Sequence, residues 1–411
     1  MAGRGLGLSL ERVGDRQRWQ SWCTVRLAVL PLPSPMIIGN RTRMDADEHG
    51  FLLKPGALPS AALLTSDEND KRVRSFDLAR GVGALGMVAV HVLLLYGSRA
   101  ANVSLYGAAI RFLGGPLAAP VFLFLMGASL PFSRHGSPRA VLRRAAALLL
   151  LAYALNFLRG TLPAFLGLQF GVIGPRDLMS HTPADLFWVV DVLHCAALSL
   201  VLIAAVRFLL PWPWAWLLLA AAVAVGSPLL WGRMSGSPVL DRGLELLWGT
   251  GDMVQFPLLP WLSYPLTGLA FGTWLVTSAD RDGLFRRAAG VGLALLLTGG
   301  WLILIRPAVH FGDYFRSGPG AVMAFTGLVL VWLAVCQWLV NHVWPNALFR
   351  LFYRWSERIT PFFVVHWILL GWGIGLFGHT RLSVLALLLL SITVLVLTDR
   401  LVWLWERGTA G

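Results

Sequence analysis

Ten stretches of about twenty apolar residues recur along the chain, at 76–97, 115–133, 140–158, 187–207, 212–231, 255–276, 284–305, 319–341, 359–377 and 382–404. A bilayer core of about 30 Å is crossed by about 20 residues of helix, and a backbone in lipid must satisfy its own hydrogen bonds. The pattern predicts an all-α polytopic membrane protein with about ten transmembrane helices. Composition agrees, since 56% of the 411 residues are hydrophobic and only 13% are charged. A soluble domain carries about 25% charged residues. A soluble enzyme, a disordered chain and an ordinary nucleic-acid binder are thereby excluded. The formal net charge of +13 reads as topology and contact with anionic lipid, because the arginines punctuate apolar runs instead of sharing one polar face.

The runs place the loops alternately on two sides. One side carries Lys71, Arg72, Arg74, Arg80, Arg134, Arg139, Arg143, Arg144, Arg207, Arg281, Arg286, Arg287, Arg350, Arg354, Arg358, Arg400 and Arg407; the other carries the sparser set Arg99, Arg111, Arg159, Arg176, Arg233, Arg242, Arg306, Arg316 and Arg381. The positive-inside rule then predicts that both termini are cytoplasmic. Residues 1–70 are rich in Arg, Gly and Pro, and their best apolar run is broken by Pro31, Pro33 and Pro35. They read as a mobile cytoplasmic extension ahead of a ten-helix domain over 71–407. Met44, which opens the acidic stretch MDADEHG, is an alternative start. Cys23, Cys195 and Cys336 are too scattered for a disulfide framework or a thiolate metal site, and no metal is expected. P-loop, GxSxG and HExxH patterns do not occur, so ATP-driven, serine-hydrolase and zinc chemistries lack their local signs.

The chemistry begins in the first run, RVRSFDLARGVGALGMVAVHVLLLYG. Arg80 and His91 are eleven residues apart, which puts them on one helix face and about 16 Å apart along the axis. Arg80 thus falls near the inner surface and His91 near mid-membrane, with Asp77 one turn before Arg80 to orient it. An ionisable group at that depth is costly and marks a functional site, or else a histidine hydrogen-bonded in a helix interface.

An Arg, ten intervening residues and a His in the first transmembrane helix resemble the acyltransferase-3 proteins. The fuller wording, FDLARG followed by GMVAVH, is most similar to the heparan-α-glucosaminide N-acetyltransferase catalytic-domain family and its bacterial members. The stretches APVFLFLMGASLPFS, RAVLRRAAALLLLAYALNF, FPLLPWLSYPLTGLAFG and SERITPFFVVHW agree with it, over about residues 72–404. The resemblance implies transfer of an acyl group, usually acetyl, from cytoplasmic acyl-CoA to a saccharide or related envelope acceptor, in a multi-pass protein of the bacterial inner membrane. The eukaryotic heparan-modifying enzymes carry a catalytic His just after the first span. Here YGSRAANVSLYG offers Asn102 and Ser104 and no His, which makes His91 the candidate base.

Coenzyme A carries a polyanionic end that needs cations at the inner surface. Arg139, Arg143 and Arg144 cluster at the start of the third run, with Arg74 and Arg80 beside the first. Guanidinium forks suit phosphate oxygens, although plain positive-inside anchoring places the same residues there. A neutral imidazole at His91 could take the acceptor's proton. Asp191 and His194 lie one turn apart in the fourth run and would hold the acceptor, orient His91 or pair helices. His366 in FFVVHW stands where the family often has a histidine, and helix packing is the competing reading. Asp313 and Arg316 read as solvated residues of the outer mouth, and His181 and Asp185 form a weak H-x-x-x-D. Gly268 with Gly272, and Gly371 with Gly375, fit small-xxx-small helix packing. A reading from another class makes His91, Asp191 and His366 a proton or substrate path in a transporter or channel.

Overall fold

The structure, a computed structural model, describes residues 72–133, 137–178, 181–344 and 346–409. The extension expected over residues 1–70 lies outside the described residues. Among the described residues the regular structure is helical: α1 (Arg74–Tyr96), α2 (Leu105–Gly114), α3 (Ala119–Ser129), α4 (Pro138–Asn156), α5 (Leu162–Gln169), α6 (Val192–Leu209) and α7 (Pro213–Gly226) in the first half. The second half adds α8 (Pro238–Trp248), α9 (Ser263–Thr277), α10 (Arg281–Ile305), α11 (Pro319–His342), α12 (Ala347–Glu357), α13 (Ile359–Phe377) and α14 (Val384–Thr409). Prolines at the first turn start α4, α7, α8 and α11, where the missing N–H costs nothing.

Every expected apolar run contains a helix. Among the described residues, eight segments are long and apolar enough to cross a membrane, including Leu105–Phe132 (α2 with α3) and Pro138–Gln169 (α4 with α5). The other two runs give shorter helices, Pro213–Leu229 and Ser263–Thr277. At 1.5 Å per residue, α9 spans about 22 Å, short of a 30 Å core.

Of the boundaries that differ from the expectation, two matter for chemistry. The third run was expected to end at 158, with Arg159 in an outer loop. Instead the helix passes through a π turn at Phe157–Thr161, where the Leu162 amide bonds back to the Phe157 carbonyl, and continues as α5. Pro163 has no N–H to give the Arg159 carbonyl, and the wider turn absorbs that loss without ending the helix. The fourth run was expected to carry Asp191 inside its helix. The helix starts at Val192 and Asp191 is its N-cap, with His194 closing a capping box.

Glycines set the closest approaches. A Cβ on Gly268 or Gly272 would run into the carbonyls of Phe124 and Ala128, so α9 lies directly against α3. A Cβ on Gly371 would meet the Arg159 carbonyl, and one on Gly375 would come within 2.8 Å of Pro163, so α13 lies against the π turn and α5. Both small-xxx-small pairs thus act as expected. α1 is buried around most of its circumference, as a helix inside a bundle must be. At its far end Tyr96 donates to the Leu370 carbonyl at 2.6 Å and fixes its register against α13.

Candidate active site

α1 and α13 bring His91 and His366 together, with His91 Nδ1 3.0 Å from His366 Nε2 and the rings stacked at 5.3 Å. His366 is completely buried, and its Nδ1 lies 3.1 Å from the Phe362 carbonyl. A carbonyl only accepts, so Nδ1 of His366 carries the hydrogen. In a neutral ring its Nε2 then holds a lone pair, which accepts the hydrogen on His91 Nδ1. The outcome is a directed chain of bonds that leaves the lone pair of His91 on Nε2.

The Trp367 indole packs on this pair, its ring centroid 4.1 Å from that of His91. Arg159 stacks on the same indole, with its guanidinium carbon 4.2 Å from the centroid. Asp191 Oδ2 pairs with Arg159 Nη2 at 2.6 Å, both side chains being under a tenth exposed. Asn156 accepts from the same Nη2 at 3.0 Å and donates to the Phe187 and Val189 carbonyls at 3.0 and 2.7 Å. The π turn thereby carries the loop before α6 with it. The Asp191 amide donates to His194 Nδ1 at 3.2 Å, so the hydrogen of a neutral His194 sits on Nε2. The Tyr153 ring meets His194 edge-on at 4.6 Å.

Tyr153 also lines a cleft of about 150 Å³ with Trp188, Val190, Arg242, Gly243, Glu245 and Leu246. Arg242 lies over the Trp188 ring, 5.5 Å from its centroid. A continuous series of contacts therefore runs from the cleft through Tyr153 and His194, across the Asp191 backbone amide, and on through the Asp191, Arg159 and Trp367 side chains to His91. Of the expected residues, His91 and His366 touch, and Asp191 reaches them through Arg159 and Trp367.

The expected cationic residues lie elsewhere. Arg74, Arg139, Arg143 and Arg144 are exposed. They share one end of the bundle, because Phe76 near the start of α1 packs its ring on Phe132, just before α4 begins. Arg80 is half-buried. It donates to the Leu125 carbonyl at 3.0 Å and to Ser129 Oγ at 2.5 Å, and lies 3.9 Å from Asp77, which itself accepts from Ser356. The expected Asp77–Arg80 pairing is present, and Arg80 ties α1 to α3.

Other candidates are spent on structure. Asp185 accepts from the Thr182 amide and hydroxyl, bonds that hold its carboxyl below its ordinary range. Asp313 pairs with Arg316 at 3.0 Å, and Arg316 binds the Gly251 and Val254 carbonyls, so this pair joins two loops and is not merely solvated. Asn102 donates to the Gly97 and Ser98 carbonyls, and Ser104 caps α2.

Arg159 is the residue that the apolar-run reading missed. The signal lies in the sequence after it: TLPAFLGLQF stays apolar, so a single charge at 159 interrupts the span without ending it.

Fold and site together define an integral, multi-pass, all-α membrane protein with a polar cluster inside its helix bundle. The family profile described as heparan-alpha-glucosaminide N-acetyltransferase, catalytic, matches residues 72–305, more than half of the chain. The chain belongs to this family of membrane acetyltransferases. The matched region contains His91, Arg159 and Asp191, and His366 lies beyond it. No curated protein matches the chain.

Proposed function

We propose that the protein transfers an acetyl group from cytoplasmic acetyl-CoA to a saccharide or related envelope acceptor, with His91 Nε2 as general base. The observation that supports this reading is the bond chain from the Phe362 carbonyl through His366 to His91, which leaves the lone pair of a neutral His91 on Nε2. His366 sets the His91 tautomer and shares the charge when His91 takes the acceptor's proton. The same imidazolium then returns that proton to the departing thiolate.

The exposed group Arg74, Arg139, Arg143 and Arg144 suits the phosphates of the donor at the cytoplasmic face. Arg80, at the foot of the Arg80–His91 face, borders the route of the pantetheine arm. The cleft at Tyr153 and Trp188 is the acceptor's entrance. Aromatic faces suit the apolar faces of sugar rings, and Arg242 and Glu245 supply hydrogen bonds to hydroxyls. Asp191 holds the acceptor end of the cluster in place through Arg159.

The test is incubation of the purified protein with radiolabelled acetyl-CoA and a panel of envelope saccharides. Label in a saccharide supports the reading, and no transfer across the panel, with folded protein and intact donor, refutes it.

A further inference from the structure

Inside the bundle, three hydrogen-bond donors with no protein partner lie in one cluster: Arg159 Nη1, Trp367 Nε1 and His194 Nε2. His194 Nε2 counts as a donor because the Asp191 amide occupies its Nδ1. An unmade bond is costly in a site shielded from water. A buried ion pair is no gain by itself, since apolar residues of similar volume often serve stability as well or better. Arg159 nevertheless sits in such a pair, with Asp191 and Asn156 both holding Nη2. The Trp367 ring fixes the plane of the guanidinium, and the same indole packs on His91. One nitrogen of the fork is clamped and the other is left for something that accepts hydrogen bonds.

We propose that Arg159 is the oxyanion donor of the acyl transfer, its Nη1–H receiving the thioester carbonyl oxygen as negative charge develops there. This rests on the acetyltransferase reading given above. The acceptor's oxygen or nitrogen forms the new bond to the thioester carbon while His91 Nε2 takes its proton. The carbonyl π pair moves onto oxygen and is held by Arg159 Nη1. When that pair returns, the carbon–sulfur bond breaks and coenzyme A leaves with the proton from His91. Trp367 Nε1 and His194 Nε2 give the same cluster further donors. Arg80 does not fill this role. It lies about 16 Å along α1 from His91 by helical rise, and its guanidinium is occupied by Leu125, Ser129 and Asp77.

The decisive comparison uses the full-length protein, wild type against Arg159→Lys, in detergent or nanodiscs. Lys keeps a cation for Asp191 but cannot present the second nitrogen of the fork. Acetyl transfer is measured to hydroxylamine, a small nucleophile with no saccharide to recognise, and to glucosamine, with kcat and both KM values for each. The proposal expects kcat to fall roughly 10²–10³-fold with both acceptors, as for loss of one oxyanion-hole donor, with KM for acetyl-CoA unchanged. A fall with glucosamine alone would make Arg159 an acceptor-recognition residue and overturn the proposal. So would wild-type kcat in Arg159→Lys. If Arg159→Lys does not fold, the neutral pair Arg159→Met with Asp191→Leu replaces it. Folded, donor-binding protein with kcat lowered to the same extent supports the proposal, and wild-type kcat ends it. A wild-type protein that transfers acetyl to neither acceptor, nor to any saccharide of the panel above, refutes the acetyltransferase reading itself, which a fault confined to Arg159 would not do.

Discussion

His91 Nδ1 faces His366 Nε2 across 3.0 Å, and the Phe362 carbonyl behind His366 settles which way the hydrogens point. A histidine in a membrane helix is ambiguous by itself. A histidine whose second nitrogen is tied, through another ring, to a group that can only accept has a defined face. Its lone pair lies on Nε2, and the partner that fixes this comes from a helix 275 residues further along the chain.

His366 should therefore act on rate through His91. His366→Leu removes the acceptor for His91 Nδ1–H and frees the ring to adopt the other tautomer. A hydrogen bond to a group that becomes charged is worth about 1.5–3 kcal/mol, so kcat should fall roughly ten- to a hundredfold with little change in either KM. His366→Gln, whose amide oxygen can still accept, should recover part of the loss. Equal activity of the Leu and Gln variants, both folded, would leave His366 as a packing residue.

The exposed arginines are predicted to act on the donor and not on the chemistry. Arg143→Ala with Arg144→Ala should raise KM for acetyl-CoA far more than it alters acceptor binding or kcat. The effect should shrink as salt is added, because exposed charges are screened. An unchanged donor KM would leave the two residues as topology anchors. A cysteine at position 137, in a cysteine-free background, should resist impermeant reagents applied to intact cells, and labelling from outside would reverse the expected orientation.

Two glycines separate packing from propensity. A Cβ on Gly371 meets the Arg159 carbonyl, whereas a Cβ on Gly290 in α10 meets nothing within 4 Å. Gly371→Ala should cost about 1–3 kcal/mol through overpacking and disturb activity, because it pushes on the π turn that carries Arg159. Gly290→Ala should be neutral or stabilise the helix by about 0.5–1 kcal/mol. Thermal unfolding of the two variants in one detergent checks the contrast, and equal melting temperatures would contradict it.

What a helical period encodes is legible along the chain: the spans, the face shared by Arg80 and His91, and the glycine pairs at 268/272 and 371/375. That His91 and His366 meet is not, since nothing local links α1 to α13. Arg159 was lost for a physical reason: a charge followed by Gly160 and, soon after, Pro163 looks like the end of a helix, and only the π turn allows the helix to continue. Asp191 was placed inside a helix because its surroundings are apolar, although an Asp three residues before His194 also has the form of a cap. A single-sequence pattern reports spacing along one element, and this site is made of contacts between four.

The most direct test of His91 as the base is acetyl transfer by purified His91→Asn, measured beside wild type across a pH series. Asn can still donate and accept hydrogen bonds, so helix packing survives, but it cannot take up a proton. Folding and acetyl-CoA binding should match wild type, while turnover falls roughly 10²–10⁴-fold at every pH of the series. Wild-type turnover by the Asn variant throughout the series would contradict the account.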